Sequence, residues 1–151
     1  MKGWKRKMKT KKQDDYTIII GCGRLGQNLA SDINDNGGDV LVIDKDEKAL
    51  ENLPATFGGL TMNSNGTDID TLEKANITKA TAVICVTNDD NVNIMASLIA
   101  RELFGVKKVI ARVYLPERQS VYQDLGVETI CPTKLTVDAI DSMLRINQEA
   151  I

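Results

Sequence analysis

Three glycines lie close together in the segment Gly21-Cys22-Gly23-Arg24-Leu25-Gly26, which has the spacing G-x-G-x-x-G. An apolar run precedes this segment, and a stretch with helical character follows it. In that setting the first glycine allows a tight turn, the second lets a phosphate approach the backbone, and the third lets a helix pack closely on a strand. Free N–H groups and the positive dipole end of the helix attract the phosphate. The segment therefore predicts a nucleotide phosphate site at these six residues.

Asp44 follows the second apolar run, about 20 residues after the glycine segment, where a ribose-binding acid is expected. A carboxylate there accepts hydrogen bonds from ribose hydroxyls and repels a 2′-phosphate. The sequence thus predicts NAD(H), ATP, ADP or AMP in preference to NADP(H). Lys45 weakens this preference if it neutralises an extra phosphate; the alternative for Lys45 is a solvated charge at the start of a helix. The alternative for Asp44 is a surface turn residue.

Two polar clusters follow later apolar runs, at residues 64–68 and 87–90, with Asn93 shortly after the second. Ligands of open α/β sheets bind at the carboxyl ends of the strands, where these clusters would lie. We predict ligand contacts from both clusters, although turn formation and helix capping explain the first equally well. In the first cluster the predicted contacts are Asn65, Gly66 and Thr67 near an adenine, and in the second Thr87 and Asn88. The caps are predicted at Thr67 or Asp68 and at Asp89 or Asp90.

Arg112 lies near the end of another apolar run, residues 109–113. A cation inside an apolar strand is costly unless it is paired. Its guanidinium is suited to a bidentate contact with a phosphate, or to an acidic side chain such as Asp89. We predict that it contacts the ligand or an interface.

These residues need a sheet to bring them together, and the pattern of apolar runs predicts one. Continuously apolar strands separated by single helices indicate a parallel sheet covered on both faces. Right-handed crossovers then favour an α/β, doubly wound, Rossmann-like fold of about six strands. The predicted strands are residues 16–20, 40–43, 59–62, 82–86, 109–113 and 127–131. The predicted helices run from the glycine segment to about residue 36, then over residues 46–53, 68–75, about 90–104, from 117, and about 134–147.

Charge is unevenly distributed along the chain. Seven of the 19 lysines and arginines lie in residues 2–12, which leaves 12 against 21 acidic residues, a net charge of about −9, for the remainder. An acidic body is a poor surface for nucleic acid. The basic segment suits anionic lipid or a partner, but its lack of apolar periodicity favours a disordered tail over residues 1–15.

Composition excludes several other classes of protein. The chain has no run of 18 apolar residues, so no membrane span is predicted, and its N-terminus lacks a secretory signal. Its three cysteines are far apart and it contains no histidine, which argues against a zinc site. We expect the cysteines to be small buried residues in a reducing cytoplasm.

Taken together, these motifs resemble the N-terminal nucleotide-binding domain of the TrkA-type, or RCK, regulators of potassium conductance. The resemblance covers about residues 16–135. The matching segments are residues 18–26, 42–44, 65–68, 86–90 with Asn93, 110–112, 125–127 and 131–132.

The resemblance implies a cytoplasmic, ring-forming regulatory subunit that binds NAD(H) or ATP, ADP or AMP. It would gate a potassium channel or transporter and lie at the inner face of the cell membrane through that partner. By this resemblance, the glycine segment with Arg24 would hold phosphate, and Asp44 would hold the ribose. Asn65 and Gly66 would flank the adenine. The remainder of the nucleotide would be lined by Thr87, Asn88 and Arg112. Ser64-Asn65 stands where the family usually has Gly-Asp, which puts the base contacts in doubt.

The predicted last helix has Val137, Ile140 and Leu144 on one face. Such a helix either covers its own sheet or, as in the family, crosses over to a neighbouring subunit. We predict a dimer or larger ring through residues 134–151, with residues 16–133 as the nucleotide-binding domain. The family's second, C-terminal domain is not visible in this sequence, so a separate chain is a candidate to supply it.

A small NAD-dependent oxidoreductase or dehydrogenase fragment is the alternative function. The chain has no histidine for proton transfer, and Tyr114 and Tyr122 lack a Tyr-x-x-x-Lys arrangement. A Rossmann unit alone offers a cofactor but no substrate pocket. A redox-sensing transcriptional regulator lacks support, because no helix-turn-helix precedes the domain and the body is acidic. We predict a binding module that is not an enzyme.

Overall fold

The computed structural model describes the backbone of residues 15–149 and side chains as far as residue 146. The predicted basic tail, except for Asp15, and Ile151 lie outside the described residues. Within residues 15–149 the chain forms six strands, each followed by a helix. The strands are β1 (Tyr16–Ile20), β2 (Asp39–Asp44), β3 (Leu60–Asn63), β4 (Ala82–Cys85), β5 (Lys108–Arg112) and β6 (Glu128–Ile130).

All neighbouring strands are parallel, and their order across the sheet is β3-β2-β1-β4-β5-β6. This order confirms the predicted doubly wound Rossmann-like fold. The chain reverses its direction of winding between β1 and β4, and a crevice for ligands opens at that point, outside the carboxyl ends of the strands.

The centre of the sheet is buried on both faces, which explains why β1, β2 and β4 are strongly apolar. The edge strands β3 and β6 are more exposed. In β1, Ile18 and Ile20 belong to one buried cluster, and Ile19 belongs to another on the opposite face. This alternation follows from the period of two along a strand.

Helices cover the two faces, and most of their bounds agree with the sequence prediction to within a few residues. The helices are α1 (Arg24–Asp35), α2 (Glu47–Glu51), α3 (Ile69–Lys74), α4 (Asp90–Leu98), α5 (Pro116–Asp124) and α6 (Pro132–Glu149), with a 3-10 turn at Ile77–Lys79. The predicted helix over residues 90–104 consists of two parts, because α4 continues as a π-helical turn (Ile99–Leu103).

Three of the helices begin at an aspartate whose side chain accepts hydrogen bonds from the first backbone N–H groups. These are Asp46 for α2, Asp68 for α3 and Asp89 for α4. Such caps satisfy N–H groups that have no acceptor inside the helix. Helix α6 begins two residues earlier than predicted, at Pro132, because proline suits the first turn of a helix.

Helix α6 does not cover its own sheet. Every side chain from Thr133 to Ile146 is exposed. Its large apolar side chains are 50 to 65 % exposed: Leu135, Val137, Ile140, Met143, Leu144 and Ile146. The helix therefore presents apolar surface that the described part of the chain leaves uncovered.

Candidate functional site

The glycine turn lies directly against the end of β4. Gly21 has a φ of +109°, and a Cβ added there would lie 2.8 Å from backbone atoms of Val86 and Thr87. Gly26 is equally restricted, because a Cβ there would overlap the carbonyl oxygen of Gly21. Both glycines are thus required by close packing of the turn, α1 and the sheet, as their spacing predicted.

Gly23 differs, because a Cβ added there would meet no atom within 4 Å. Gly23 precedes α1 with φ −75° and ψ −167°, and neither a side-chain cap nor an acidic residue occupies the first turn of that helix. The N–H groups of a first helical turn have no acceptor inside the helix. Open space next to these donors is what an approaching phosphate needs.

The carboxylate of Asp44 braces this turn. Its Oδ2 accepts a hydrogen bond from the backbone N–H of Cys22 at 2.7 Å, and its Oδ1 accepts one from Asp46 N–H at 2.8 Å. The carboxylate therefore ties the glycine turn to the turn between β2 and α2. A carboxylate has about four lone-pair sites, so two remain for ribose hydroxyls.

Cys22 fixes the turn from inside. Its thiol is buried and donates to the carbonyl of Ala49 at 3.3 Å, while its own carbonyl accepts from Gln27 Nε2 at 3.0 Å. Burial, with the neighbouring Asp44 carboxylate adding to it, raises the pKa of this thiol to about 11. The side chain of Cys22 is thus a packing group, and its backbone is the part that borders the site.

The buried thiols predict a loss of stability at alkaline pH. Burial raises the pKa of Cys22 from 9.0 to about 11 and that of Cys85 to about 12. Above pH 9 the unfolded chain releases thiol protons that the folded chain keeps, so the free energy of unfolding falls as pH rises through this window. We expect urea unfolding at roughly pH 8 and pH 10 to show this fall, and Cys22→Ala to reduce it. An identical fall in both proteins would contradict the role of Cys22.

The cluster after β3 forms a turn held by its own side chains. Asn65 Oδ1 accepts from the N–H of Thr67 at 3.0 Å and from its hydroxyl at 2.8 Å. Gly66 is buried, and a Cβ there would overlap the side chain of Ile20. Ser64 turns inward, with its hydroxyl 2.6 Å from that of Thr71. Turn formation and capping account for these contacts, and the adenine contact of Asn65, Gly66 and Thr67 stays a prediction.

The cluster after β4 is organised by Asn93, a buried residue of α4. Its Oδ1 accepts from the N–H of Thr87 at 2.8 Å and from the Thr87 hydroxyl at 2.7 Å. Its Nδ2 donates to the carbonyls of Thr87 at 3.0 Å and Arg112 at 3.1 Å. The sequence placed Asn93 near the cluster but not this role, because the contacts cross three elements that only the fold brings together.

Arg112 lies across the end of β4. Its Nη2 donates to the carbonyls of Val86 at 3.1 Å and Thr87 at 2.8 Å, and to Asn88 Oδ1 at 3.1 Å. The suggested pairing with Asp89 is wrong, since that carboxylate caps α4. Arg112 Nε is buried and has no hydrogen-bond partner within the described residues. Because Val86 and Thr87 also border Gly21, the fold brings Arg112, Asn88 and the glycine turn together.

The remaining predicted site residues lie at the turn but differ in orientation. Arg24 and Lys45 are exposed, at the start of α1 and after β2. The side chain of Leu25 packs against the buried cluster around Ile19, so only its backbone faces the turn. Arg24 and Lys45 are therefore the cations able to meet a ligand from solvent.

The residues present fit a phosphate-bearing nucleotide. The open space at Gly23, the uncapped start of α1 and the buried, unpartnered Nε of Arg112 all suit an anion. Within residues 15–149, no group of three or more acidic or cysteine side chains is placed to hold a metal ion. In the same part of the chain, no helix combines the length and the hydropathy needed to cross a bilayer.

The sequence of the chain is similar to those of known proteins. The profile of the TrkA-N domain matches residues 17–132. The Trk system potassium uptake protein TrkA of Streptomyces coelicolor is 43 % identical over 123 residues, which make up 82 % of this chain and 55 % of that protein. A TrkA homolog of Methanothermobacter thermautotrophicus is 32 % identical over 130 residues, or 85 % of this chain and 60 % of that protein. The chain thus spans little more than half of these relatives.

Solved structures share the fold at lower identity. The GsuK channel bound to NAD superposes with a TM-score of 0.76 at 24 % identity, covering 91 % of this chain and 24 % of that one. GsuK bound to ADP gives a TM-score of 0.74 at 24 % identity, covering 89 % and 35 %. The Kef CTD of Shewanella denitrificans in AMP-bound form gives 0.68 at 20 % identity, covering 90 % and 79 %. At these identities the likeness establishes the fold.

Proposed function

Because the chain belongs to the TrkA-N domain family, we propose that it is the nucleotide-sensing part of a system that controls potassium flux. The observation that carries the proposal is the open space at Gly23, beside an uncapped helix start and within a turn braced by Asp44. The two relatives described above are named as Trk system potassium uptake proteins. The chain would act in the cytoplasm, at the inner face of the membrane, through a channel or transporter subunit.

The ligand we propose is NAD(H) or an adenine nucleotide: ATP, ADP or AMP. Proteins of the same fold bind NAD, ADP and AMP. In this chain the α1 N–H groups and Arg24 would hold phosphate, and the free lone pairs of Asp44 would accept the ribose hydroxyls. The ligand would then bias one arrangement of the assembly over another, which requires different affinity for the two arrangements.

We propose further that the chain binds nucleotide without catalysing a reaction on it. The chain contains no histidine, and a cofactor-binding unit needs residues from elsewhere to form a substrate pocket. Incubation with NADH and a panel of carbonyl compounds tests this, and turnover of NADH would support the oxidoreductase alternative instead.

Helix α6 supports a dimer or larger ring as the working state. Helices in proteins are stabilised mainly by packing of an apolar face against a partner. Since the described body leaves that face of α6 exposed, a second copy of the chain is the proposed cover. A further regulatory chain that carries a C-terminal domain is a second proposed partner.

A thermal-shift series with NAD, NADH, NADP, ATP, ADP and AMP tests the ligand. A nucleotide at 100 times its dissociation constant should stabilise the domain by about 2.7 kcal/mol. We expect NADP to bind at least tenfold more weakly than NAD, because the Asp44 carboxylate repels a 2′-phosphate. Lys45→Ala should widen that gap if Lys45 partly neutralises the extra phosphate. Stabilisation by none of the six would contradict the proposed function, and equal binding of NADP would contradict the role of Asp44.

A further inference from the structure

Asn93 makes four hydrogen bonds from a side chain that is only 1 % exposed. Two are accepted by Oδ1, both from Thr87, and two are donated by Nδ2, to the carbonyls of Thr87 and Arg112. These partners determine which side chain can stand at position 93. A backbone N–H needs an acceptor and carbonyls need a donor, so only a side chain with both groups at this length satisfies all four.

The contacts of Asn93 converge on the residues that hold Arg112. The carbonyl of Thr87 accepts from Asn93 Nδ2 at 3.0 Å and from Arg112 Nη2 at 2.8 Å. A carbonyl oxygen has two lone pairs, so these two donors satisfy it. Asn93 also holds the carbonyl of Arg112 itself. The backbone from which the guanidinium projects and one of its acceptors are therefore fixed by the same amide.

Arg112 is the cation that this network places at the crevice. Its Nη2 donates to Val86 O at 3.1 Å, and a Cβ on Gly21 would lie 2.8 Å from that same oxygen. The guanidinium of Arg112 thus borders the glycine turn, although Arg112 belongs to a strand two positions away from β1 in the sheet. Asn93 therefore links the ends of β4 and β5 through its side chain, in addition to the contacts that Arg112 makes itself.

We propose that Asn93 is a positioning residue for nucleotide binding, which acts by holding Arg112 against the end of β4, beside the nucleotide phosphates. This inference rests on the proposed function and adds to it a residue that touches no ligand. Loss of Asn93 then weakens binding because the guanidinium is no longer held in place, and the weakening requires Arg112 to be present.

A double-mutant cycle tests this mechanism with ADP as the probe. Asn93→Ala, Arg112→Met and the double variant are compared with the wild type by calorimetric titration and by urea unfolding. Arg112→Met keeps the apolar stem of the side chain and removes its charge. We expect Asn93→Ala to weaken ADP binding about tenfold in the wild-type background and less than twofold in the Arg112→Met background.

Ser97→Ala is the matched control for a purely structural role. Ser97 is buried on the same helix, and its hydroxyl donates to the carbonyl of Asn93 at 2.6 Å. We expect it to lower stability and to leave ADP affinity within twofold. If Asn93→Ala does not fold, Asn93→Ser takes its place in the cycle.

The outcomes separate this inference from the function on which it rests. A wild-type protein that binds none of the nucleotides overturns the proposed function. A wild-type protein that binds ADP, with an Asn93 variant of unchanged affinity, overturns the positioning role alone. Equal weakening with and without Arg112 also overturns it, because Asn93 would then act by another route.

Discussion

Replacing Gly23 with alanine will leave the domain folded and will weaken its binding of NAD(H) or ADP at least a hundredfold, a loss of about 2.8 kcal/mol. The backbone at Gly23 is extended, with φ −75°, and a Cβ there meets no protein atom within 4 Å. Alanine therefore costs the free protein little. The same methyl group would stand in the space through which a phosphate reaches the N–H groups of α1.

Gly26→Ala is the matched control, since it adds the same methyl group three residues away. There the Cβ would overlap the carbonyl oxygen of Gly21, so we expect loss of the fold. Calorimetric titration gives the affinity of the Gly23 variant, urea unfolding gives its stability, and circular dichroism shows whether the Gly26 variant folds. Wild-type affinity in a folded Gly23→Ala protein would show that no phosphate lies at this turn.

Placing aspartates at Ile140 and Leu144 will convert the assembled protein to monomers and weaken self-association by about a thousandfold. Both side chains are half-exposed in the single chain, so the substitutions cost its core little. In a dimer through α6, two charges on each copy would enter an apolar contact. Each of the four half-exposed side chains would lose about 1 kcal/mol of further burial, or about 4 kcal/mol together, which corresponds to about a thousandfold.

Sedimentation velocity at micromolar concentration measures this change directly. Ser142→Asp is the control, because a turn of 100° per residue places Ser142 on the opposite side of the helix, near Asp138 and Arg145. We expect it to assemble like the wild type. Assembly that survives the Ile140 and Leu144 substitutions would exclude α6 as the contact, and a monomeric wild type would exclude self-association.

The central strands were predictable because they are covered on both faces of the sheet, which makes β1, β2 and β4 strongly apolar. The edge strands β3 and β6 are more exposed and carry a weaker apolar pattern. The glycine turn was also predictable from the sequence, since Gly21 and Gly26 are required by contacts that leave no room for a side chain. The exposure of α6 did not follow from the apolar pattern alone, because an apolar helical face suits the chain's own sheet as well as a neighbour; the prediction of a neighbour rested on the family resemblance.

Arg112 and Asn93 show where sequence reasoning stops. A cation in an apolar strand indicated a partner, and an acid or a ligand was the natural expectation. The fold supplies carbonyl oxygens at the end of β4 in place of the acid, and every strand has such groups whatever its sequence. The sequence alone presents Asn93 as an ordinary helical residue. Its contacts with the ends of β4 and β5 depend on the sheet order, which places these two strands side by side. The predicted ligand contacts of the site residues stay predictions.

Under the proposed function, the hydrogen bond between Asp44 and Cys22 affects how nucleotide binding would be transmitted to the rest of an assembly. The carboxylate holds the backbone of the turn through hydrogen bonds within the chain, so we expect a preorganised turn that binding reshapes little. A pocket that stays rigid on binding transmits little motion through its own walls. We therefore expect the effect of binding to be transmitted by the added negative charge and through Arg112. The number of phosphates on the ligand should then change the assembly more than the size of its base does.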